Sequence, residues 1–178
     1  MIGAMNLTLP LDPGRDALPA APLDIHEARV PAEWIDYNGH MNVAYYVMAF
    51  DHATDKLLDL LDLGVAYVRR TNGSTFVLET HVTYVQEIKR DDPFRCAVRM
   101  LDVDGKRLHY YFEMFHGRDG FLAATSEQIL LHVDLATRRA APMPSAARAR
   151  AEAIMRAQAG LPRPERLCGR IGIRRNNG

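Results

Sequence analysis

The sequence predicts an α+β domain in which one long helix lies against an antiparallel sheet. Apolar residues recur at helical spacing between Val43 and Leu61, with charged residues at other positions. After residue 74 the period changes to two, and this alternation continues in successive runs as far as Asp134. Short turns separate the last three runs, at Asp104-Gly105 and at Arg118-Asp119-Gly120. Such turns join neighbouring antiparallel strands, so these runs predict a meander.

The other elements follow from local composition. Residues 1–23 carry four prolines among small and polar residues, which predicts an irregular arm. A short strand is expected at His26–Val30, before Pro31. The long strands are expected at Thr75–Ile88, Phe94–Met100, Leu108–Met114 and Phe121–Asp134. Residues 145–158 predict a short helix, and the arginine-rich segment from Leu161 is expected to fray.

The long helix has a signal at each end. Asn42 is the expected N-cap, and Gly64 is the expected residue just past the C-terminus. One helix covers only one face of a sheet, so the sheet is expected to wrap around it. The remaining apolar surface predicts a second copy of the chain, as a homodimer or a dimer of dimers.

Length and composition limit the classes of function. The 178 residues fit one domain at 24–142, flanked by the arm at 1–23 and by a short helix and basic tail at 143–178. Twenty-two basic and twenty-two acidic residues cancel, so neither nucleic acid nor a membrane surface is an expected partner. No apolar run approaches the ~20 residues of a membrane span. Cys96 and Cys168 lie far apart, which favours reduced thiols and a cytoplasmic location.

The segment Asp36–Asn42 concentrates reactive side chains in one loop before the helix. It contains one carboxylate, two carboxamides, an imidazole and a glycine. A carboxylate can attack a carbonyl carbon or activate water. Backbone N–H groups at a helix start lack intrahelical acceptors and can hold an oxyanion. The loop can therefore supply the groups that thioester cleavage needs.

Other catalytic patterns do not occur in the sequence. No histidine pair has the HxxxH or HExxH spacing of a zinc site. No glycine-rich phosphate loop and no GxSxG elbow are present. We therefore expect neither a metal site nor a cofactor.

The loop and the order of elements resemble the hotdog-fold thioesterases, in the branch of the hydroxybenzoyl-CoA and acyl-ACP thioesterases. Four positions match that branch's Asp, Asn, His and first Asn: Asp36, Asn38, His40 and Asn42. The branch usually has a second Asn, where this chain has Val43. The resemblance covers roughly residues 25–140. It implies a hotdog fold, an antiparallel sheet wrapped around one long central helix.

A longer stretch is similar to the betainyl-CoA thioesterases of carnitine breakdown. The similar residues are 34–46, 50–55, 74–76 and 123–125. This similarity implies hydrolysis of a small acyl-CoA to the free acid and CoA, with betainyl-CoA as the expected substrate. Another short-chain or aromatic acyl-CoA is the alternative.

Candidate catalytic residues lie in the loop and on the first long strand. Asp36 is the expected nucleophile or general base, and the alternative is an Asx-turn that only shapes the loop. Asn38 and His40 are expected to orient Asp36, position water or donate to the thioester oxygen. Glu79, on the strand face opposite Phe76, is a candidate second acid or base acting at a partner's loop; a solvated side chain is the alternative.

Candidate substrate-binding residues surround the same loop. Four aromatic side chains crowd it and would suit a quaternary ammonium group, at ~0.5–2 kcal/mol per cation–π contact: Trp34, Tyr37, Tyr45 and Tyr46. Gly39 would allow close approach of substrate to the backbone, and Asn42 is either a binding residue or only the N-cap. Ordinary core packing is the alternative for the aromatic residues.

Two other hypotheses place the same fold in different classes. A hotdog hydratase pairs an Asp with a His five residues later and has a proline between them, whereas His40 follows Asp36 by four residues without a proline. A non-catalytic acyl-CoA-sensing module would lack the carboxylate and carry a DNA-binding segment. Asp51 is a further candidate, because other hotdog branches use a carboxylate on the helix.

Overall fold

The computed structural model describes residues 9–175. Its strands are β1 (Leu23–Arg29), β2 (Gly73–Tyr84), β3 (Pro93–Val103), β4 (Arg107–His116), β5 (Leu122–Asp134) and β6 (Arg139–Ala140). Its α-helices are α1 (Val43–Leu61), α2 (Val65–Arg70) and α3 (Ser145–Ala157), and a 3-10 turn spans Ala32–Trp34. The predicted long helix, long strands and final short helix are therefore present. The first strand begins earlier than expected, at Leu23, and β2 ends at Tyr84 rather than Ile88.

The sheet has the strand order β1-β3-β4-β5-β2, with every neighbouring pair antiparallel. The predicted meander of β3, β4 and β5 is confirmed. β2 pairs with β5 and forms one edge of the sheet, and β6 extends the other side of the end of β5. The edge of β2 away from β5 has no neighbouring strand among residues 9–175.

α1 lies across one face of the curled sheet, which we call the inner face. Phe50 of α1 stacks on Phe112 of β4, with ring centroids 5.8 Å apart. The hydroxyl of Thr54 lies 3.3 Å from that of Tyr110. These contacts put the apolar stripe of α1 into the main core, and the acidic positions Asp51, Asp55 and Asp59 face solvent. The α+β hotdog architecture is confirmed.

The C-terminal end of α1 differs from the prediction. Asp62, with φ 62° and ψ 40°, takes the left-handed position that was expected of Gly64. Gly64 is extended and precedes α2, a short helix that the sequence did not reveal. A glycine is needed there for space, because a Cβ atom would lie 2.0 Å from Oδ1 of Asp59. Asp62 tolerates the left-handed conformation because its side chain is short and polar.

A β-bulge in β2 changes which side chains share a face. Val77 pairs with Leu130 and Glu79 pairs with Ile129, so Leu78 is the extra residue. Glu79 therefore lies on the same face as Phe76, and the prediction that it lies on the opposite face was wrong. That shared face is directed away from α1, and we call it the outer face. The alternation of the sequence could not reveal the bulge, because every residue around it suits a strand.

The described parts of both terminal segments, residues 9–22 and 161–175, pack onto the domain; the rest of the predicted arm and tail lies outside the described residues. In the arm, Leu11 is fully buried, and its N–H donates to Leu60 O at 2.7 Å. The segment 161–175, which we call the C-terminal arm, crosses the outer face instead of fraying as predicted. Arg175 of this arm binds Asp102 of β3 through two hydrogen bonds of 2.6 and 2.7 Å. The two hydrogen bonds from the Arg175 guanidinium to the Asp102 carboxylate hold the C-terminal arm against β3.

Within residues 9–175, no helix is both long enough and apolar enough to span a membrane.

Candidate active site

The motif loop is a tight turn closed by backbone hydrogen bonds. The N–H of Asp36 donates to His40 O at 3.1 Å, and the N–H of Gly39 donates to Asp36 O at 3.0 Å. Gly39 has φ 82°, which a residue with a side chain rarely adopts. Asn42 N–H donates to Trp34 O at 2.9 Å, which ties the end of the turn to the preceding 3-10 turn. Backbone hydrogen bonds therefore fix the conformation of the loop from its first residue to its last.

Asp36 is half-buried, with one carboxylate oxygen engaged and the other open. Its Oδ1 accepts the N–H of Asn38 at 2.8 Å, which is the Asx-turn considered from the sequence. Its Oδ2 accepts no hydrogen bond from residues 9–175. The two interpretations of Asp36 are thus compatible: one oxygen shapes the loop and the other is available to water or substrate.

The start of α1 offers an unpaired backbone donor beside the loop. The Asn42 side chain caps the helix by accepting the N–H of Ala44 at 3.0 Å, which confirms the predicted N-cap. The N–H of Val43 has no acceptor in the part of the chain that the structure describes. Such an N–H group points outward at the positive end of the helix dipole, where a negative oxygen is stabilised.

His40 precedes this donor by three residues. Its Nδ1 lies 3.2 Å from Met41 O. A carbonyl only accepts, so in this contact Nδ1 carries the hydrogen, and Nε2 of the neutral ring is left as an acceptor. His40 can therefore receive a hydrogen bond from water or from a thiol.

A cleft of about 160 Å³ opens beside the start of α1. Its lining comes from the loop, from α1 and from the end of β2 with the residues after it: His40, Met41, Val43, Tyr46, Tyr84, Val85, Gln86 and Glu87. Two tyrosine rings form one wall, because Tyr46 and Tyr84 meet edge to face with centroids 5.3 Å apart. The carboxylate of Glu87 is the acidic group in the lining.

The hydrogen bonds of the two tyrosines hold the cleft in shape. The hydroxyl of Tyr84 donates to Val43 O at 3.3 Å, and the hydroxyl of Tyr46 accepts the N–H of Ile88 at 3.3 Å. Burial raises the pKa of both phenols above their ordinary value. Both rings therefore stay neutral and present a wall without charge of its own.

The structure separates the four aromatic residues predicted around the substrate. Tyr46 lines the cleft. Trp34 is buried and stacks face to face on Tyr45, with centroids 5.1 Å apart and planes 8° apart, so that each ring covers a face of the other. Tyr37 is 96% exposed at the tip of the loop. Of the predicted aromatic group, only Tyr46 belongs to the cleft.

Sequence reasoning missed Tyr84 and Glu87 as site residues. Tyr84 ends β2 and faces α1, since its pairing partner Ala124 lies opposite Met114 on the inner face. Its place in an alternating strand was visible in the sequence, but the fold was needed to bring it to the helix start. Glu79 is not brought to the loop within one subunit, because it is exposed on the outer face.

The comparisons with known proteins agree with this architecture. Residues 30–151 match the sequence model of the thioesterase-like superfamily. A betainyl-CoA thioesterase of Pseudomonas aeruginosa is 36% identical over 151 residues, which cover 85% of this chain and 95% of the relative. An L-carnitine dehydrogenase/betainyl-CoA thioesterase of Ruegeria pomeroyi is 40% identical over 76% of this chain, which spans 27% of that longer protein.

Two solved structures have a similar fold and related sequences. A protein of Staphylococcus aureus, solved in complex with CoA, superposes with a TM-score of 0.78 at 28% identity, covering 89% of this chain and 99% of that one. A putative thioesterase of Pseudomonas putida KT2440 superposes with a TM-score of 0.73 at 30% identity, covering 87% and 99%. This chain belongs to the thioesterase-like superfamily. It is an acyl-CoA thioester hydrolase with a hotdog fold.

Proposed function

We propose that this enzyme hydrolyses betainyl-CoA to glycine betaine and CoA. The proposal is carried by the cleft beside α1, in which two neutral tyrosine rings and one carboxylate surround a space next to an unpaired N–H group. Aromatic faces attract a quaternary ammonium group without requiring it to donate hydrogen bonds. The Glu87 carboxylate lies 3.3 Å from Nζ of Lys89, so the substrate cation would share it with that ammonium group. The names of the Pseudomonas and Ruegeria relatives support the same substrate.

In this proposal Asp36 supplies the catalytic carboxylate. As a general base, its open Oδ2 takes a proton from water, whose oxygen bonds to the thioester carbon. The developing oxyanion is held by the N–H of Val43, and the C–S bond then breaks. The proton passes to the departing CoA thiolate. Asn38, which is exposed at the loop tip, and His40 are proposed to position water and the leaving sulfur.

Asp36 as a nucleophile gives the same products by a second route. Its carboxylate would attack the thioester carbon and release CoA thiolate, and water would then hydrolyse the resulting anhydride. A single turnover in heavy-oxygen water detects this route when water attacks the anhydride at the Asp36 carbon. Label found in the Asp36 carboxylate would identify the anhydride route.

We further propose that the enzyme is a homodimer, or a dimer of dimers, built on the open edge of β2. Exposed apolar side chains lie on β2 and on α1: Val77, Leu78, Val43, Val47 and Met48. Pairing of two β2 edges would satisfy their free backbone groups and bring these side chains under cover. Val43 also lines the cleft, so the partner would lie next to the site and help to complete it.

We also propose a cytoplasmic location and a metabolic role for the enzyme. Cys96 and Cys168 are both free thiols, which suits the reducing cytoplasm. We propose a role in carnitine breakdown, because the relatives in Ruegeria and in rhizobia carry an L-carnitine dehydrogenase name together with the thioesterase name.

The test is thiol release from a panel of betainyl-, acetyl-, hydroxybenzoyl- and medium-chain CoA esters. We expect betainyl-CoA to be preferred, and Asp36→Asn to lower kcat by roughly a hundredfold or more. Asn at this position still accepts the N–H of Asn38, so the loop stays intact. Asp51→Asn is the matched control, because Asp51 is an exposed carboxylate on α1; a loss in this variant instead would assign catalysis to the helix carboxylate.

The aromatic wall is tested in the same panel. Tyr84→Leu should raise the KM for betainyl-CoA by roughly tenfold and leave acetyl-CoA nearly unchanged, because only the charged acyl group uses the ring face. Tyr84→Phe keeps the ring and serves as the control. Equal losses for both esters, or a preference for hydroxybenzoyl-CoA in the wild type, would overturn the betainyl assignment.

A further inference from the structure

A polar cluster on the outer face of the sheet takes no part in the proposed hydrolysis. Glu127 of β5, only 2% exposed, is the cross-strand partner of His81 on β2. Cys168 of the C-terminal arm lies over them. One ligand atom from each of these three residues lies within 4.8 Å of the other two. Imidazole, carboxylate and thiol thus converge from three separate segments.

The Glu127 carboxylate is held in position by two further groups. Its Oε1 lies 2.9 Å from Nε2 of His109, and its Oε2 accepts the N–H of Cys168 at 2.7 Å. A buried carboxylate is costly unless it is paired and hydrogen-bonded. Both contacts leave lone pairs on each oxygen for a further partner.

We propose that this cluster binds a zinc ion, with His81, Glu127 and Cys168 as ligands and water in the fourth position. A thiolate and an imidazole favour zinc over magnesium or calcium, which prefer oxygen ligands. His109 would act as the outer partner that orients the ligating carboxylate. This expectation differs from the one drawn from sequence spacing, because the three ligands come from distant positions that only the fold brings together.

The geometry requires a small adjustment. Metal–ligand distances of about 2.0–2.3 Å place tetrahedral ligand atoms roughly 3.5 Å apart. The three ligand atoms, which lie within 4.8 Å of one another, must therefore approach each other by up to about an ångström. His81 is exposed and Cys168 is part of the arm, so both can move without disturbing the core. The ion would fasten the C-terminal arm to the sheet.

Cobalt and zinc binding to the whole protein tests this site. After treatment with a chelator, the protein is titrated with Co²⁺, whose charge-transfer absorption reports a bond to thiolate, and then with Zn²⁺ in competition with a chromogenic chelator. We expect one ion per chain, the thiolate band, and a rise in Tm on adding zinc. Cys168→Ser should abolish the band, His81→Ala should weaken zinc binding by roughly tenfold or more, and His109→Gln by roughly 10–100-fold.

Cys96→Ser is the matched control for the thiol. Cys96 is fully buried in the core, and burial raises its pKa to about 12, so it should not compete for the ion. The Tm of each metal-free variant shows that it is folded. Zinc binding that is absent in the wild type, or unchanged in Cys168→Ser, would overturn the proposal, and so would a band that requires Cys96. The readouts do not involve thioester hydrolysis, so they stand apart from the proposed function.

Discussion

At the scale of single residues, the motif loop shows how one side chain can have two roles. One oxygen of Asp36 builds the Asx-turn, and the other is open. The residue types and their order predicted the chemistry of the loop. The direction of each carboxylate oxygen depends on backbone angles, above all at Gly39, and these angles are not encoded in residue type alone.

His26 carries a pH-dependent contribution to stability. Its Nε2 is buried and has no hydrogen-bond partner among residues 9–175, and its ring lies between His52 and Phe94. Burial, and then the charges of His52 and Lys56, lower the pKa of His26 below 6.5. In the pH range between its lowered pKa and 6.5, the unfolded chain binds a proton that the folded chain does not. Stability therefore rises with pH in this range and is lost as the pH falls through it.

The corresponding measurement is urea unfolding of the wild type and of His26→Phe between about pH 7.5 and pH 5, a range that contains the ordinary histidine pKa. The variant should lose less free energy of unfolding on acidification than the wild type does. In protein freed of metal with a chelator, His81→Phe, which replaces an exposed imidazole on the outer face, should keep the wild-type slope. Equal slopes for wild type and His26→Phe would contradict the assignment to His26.

At the scale of elements, α1 was predictable and β2 only partly so. The apolar stripe and the Asn42 cap fix α1 locally, and its observed bounds agree with the prediction. β2 depends on its pairing with β5, which contains a bulge. Its end also depends on pairing, because the N–H groups of Val85 and Gln86 both donate to Ala123 O and the ladder stops there. Non-local hydrogen bonds of this kind leave no pattern in residue type.

The cap of α1 gives a prediction at this scale. Asn42→Ala leaves the N–H of Ala44 without its acceptor and should lower the free energy of unfolding by about 1 kcal/mol. Asn42→Ser keeps a side-chain oxygen at the cap and should restore most of this loss. Chemical denaturation measures both. An equal loss of unfolding free energy in Asn42→Ser and Asn42→Ala would show that the amide group, and not the cap, matters at this position.

At the scale of the whole molecule, the site depends on contacts that join distant parts of the chain. The sequence placed the loop before the helix, and it predicted a partner subunit from the uncovered apolar surface. It could not bring Tyr84 to the cleft or Cys168 to Glu127, because each meeting requires the completed sheet. The side chains that surround a predicted motif can therefore be identified only once the fold is known.

The proposed dimer is tested with a pair of exposed valines. Val77→Lys places a charge on the open edge strand, where the symmetry of a dimer would bring the two new charges near each other. We expect the dimer Kd to rise by about tenfold or more, which corresponds to about 1.4 kcal/mol, and activity to be lost at low protein concentration. Sedimentation and thiol release measure the two effects.

Val65→Lys is the matched control, since Val65 is exposed to a similar degree on α2. This variant should keep both assembly and activity. A Val77→Lys monomer with full activity would show that the site is complete within one subunit.

The bulge at Leu78 ties substrate recognition to a residue count. From Glu79 onward, β2 is shifted by one position relative to a regular strand, and this shift turns Tyr84 toward α1. Deletion of Leu78 itself would remove the bulge and leave Tyr84 opposite Ala124. Deletion of one residue between Glu79 and Tyr84, with the bulge retained, would instead pair Tyr84 with Thr125 and turn its ring to the outer face. A change of length, with no change in any side chain of the cleft, would then remove the aromatic wall. Evolution of acyl specificity in this fold can proceed through insertions and deletions far from the loop that breaks the thioester.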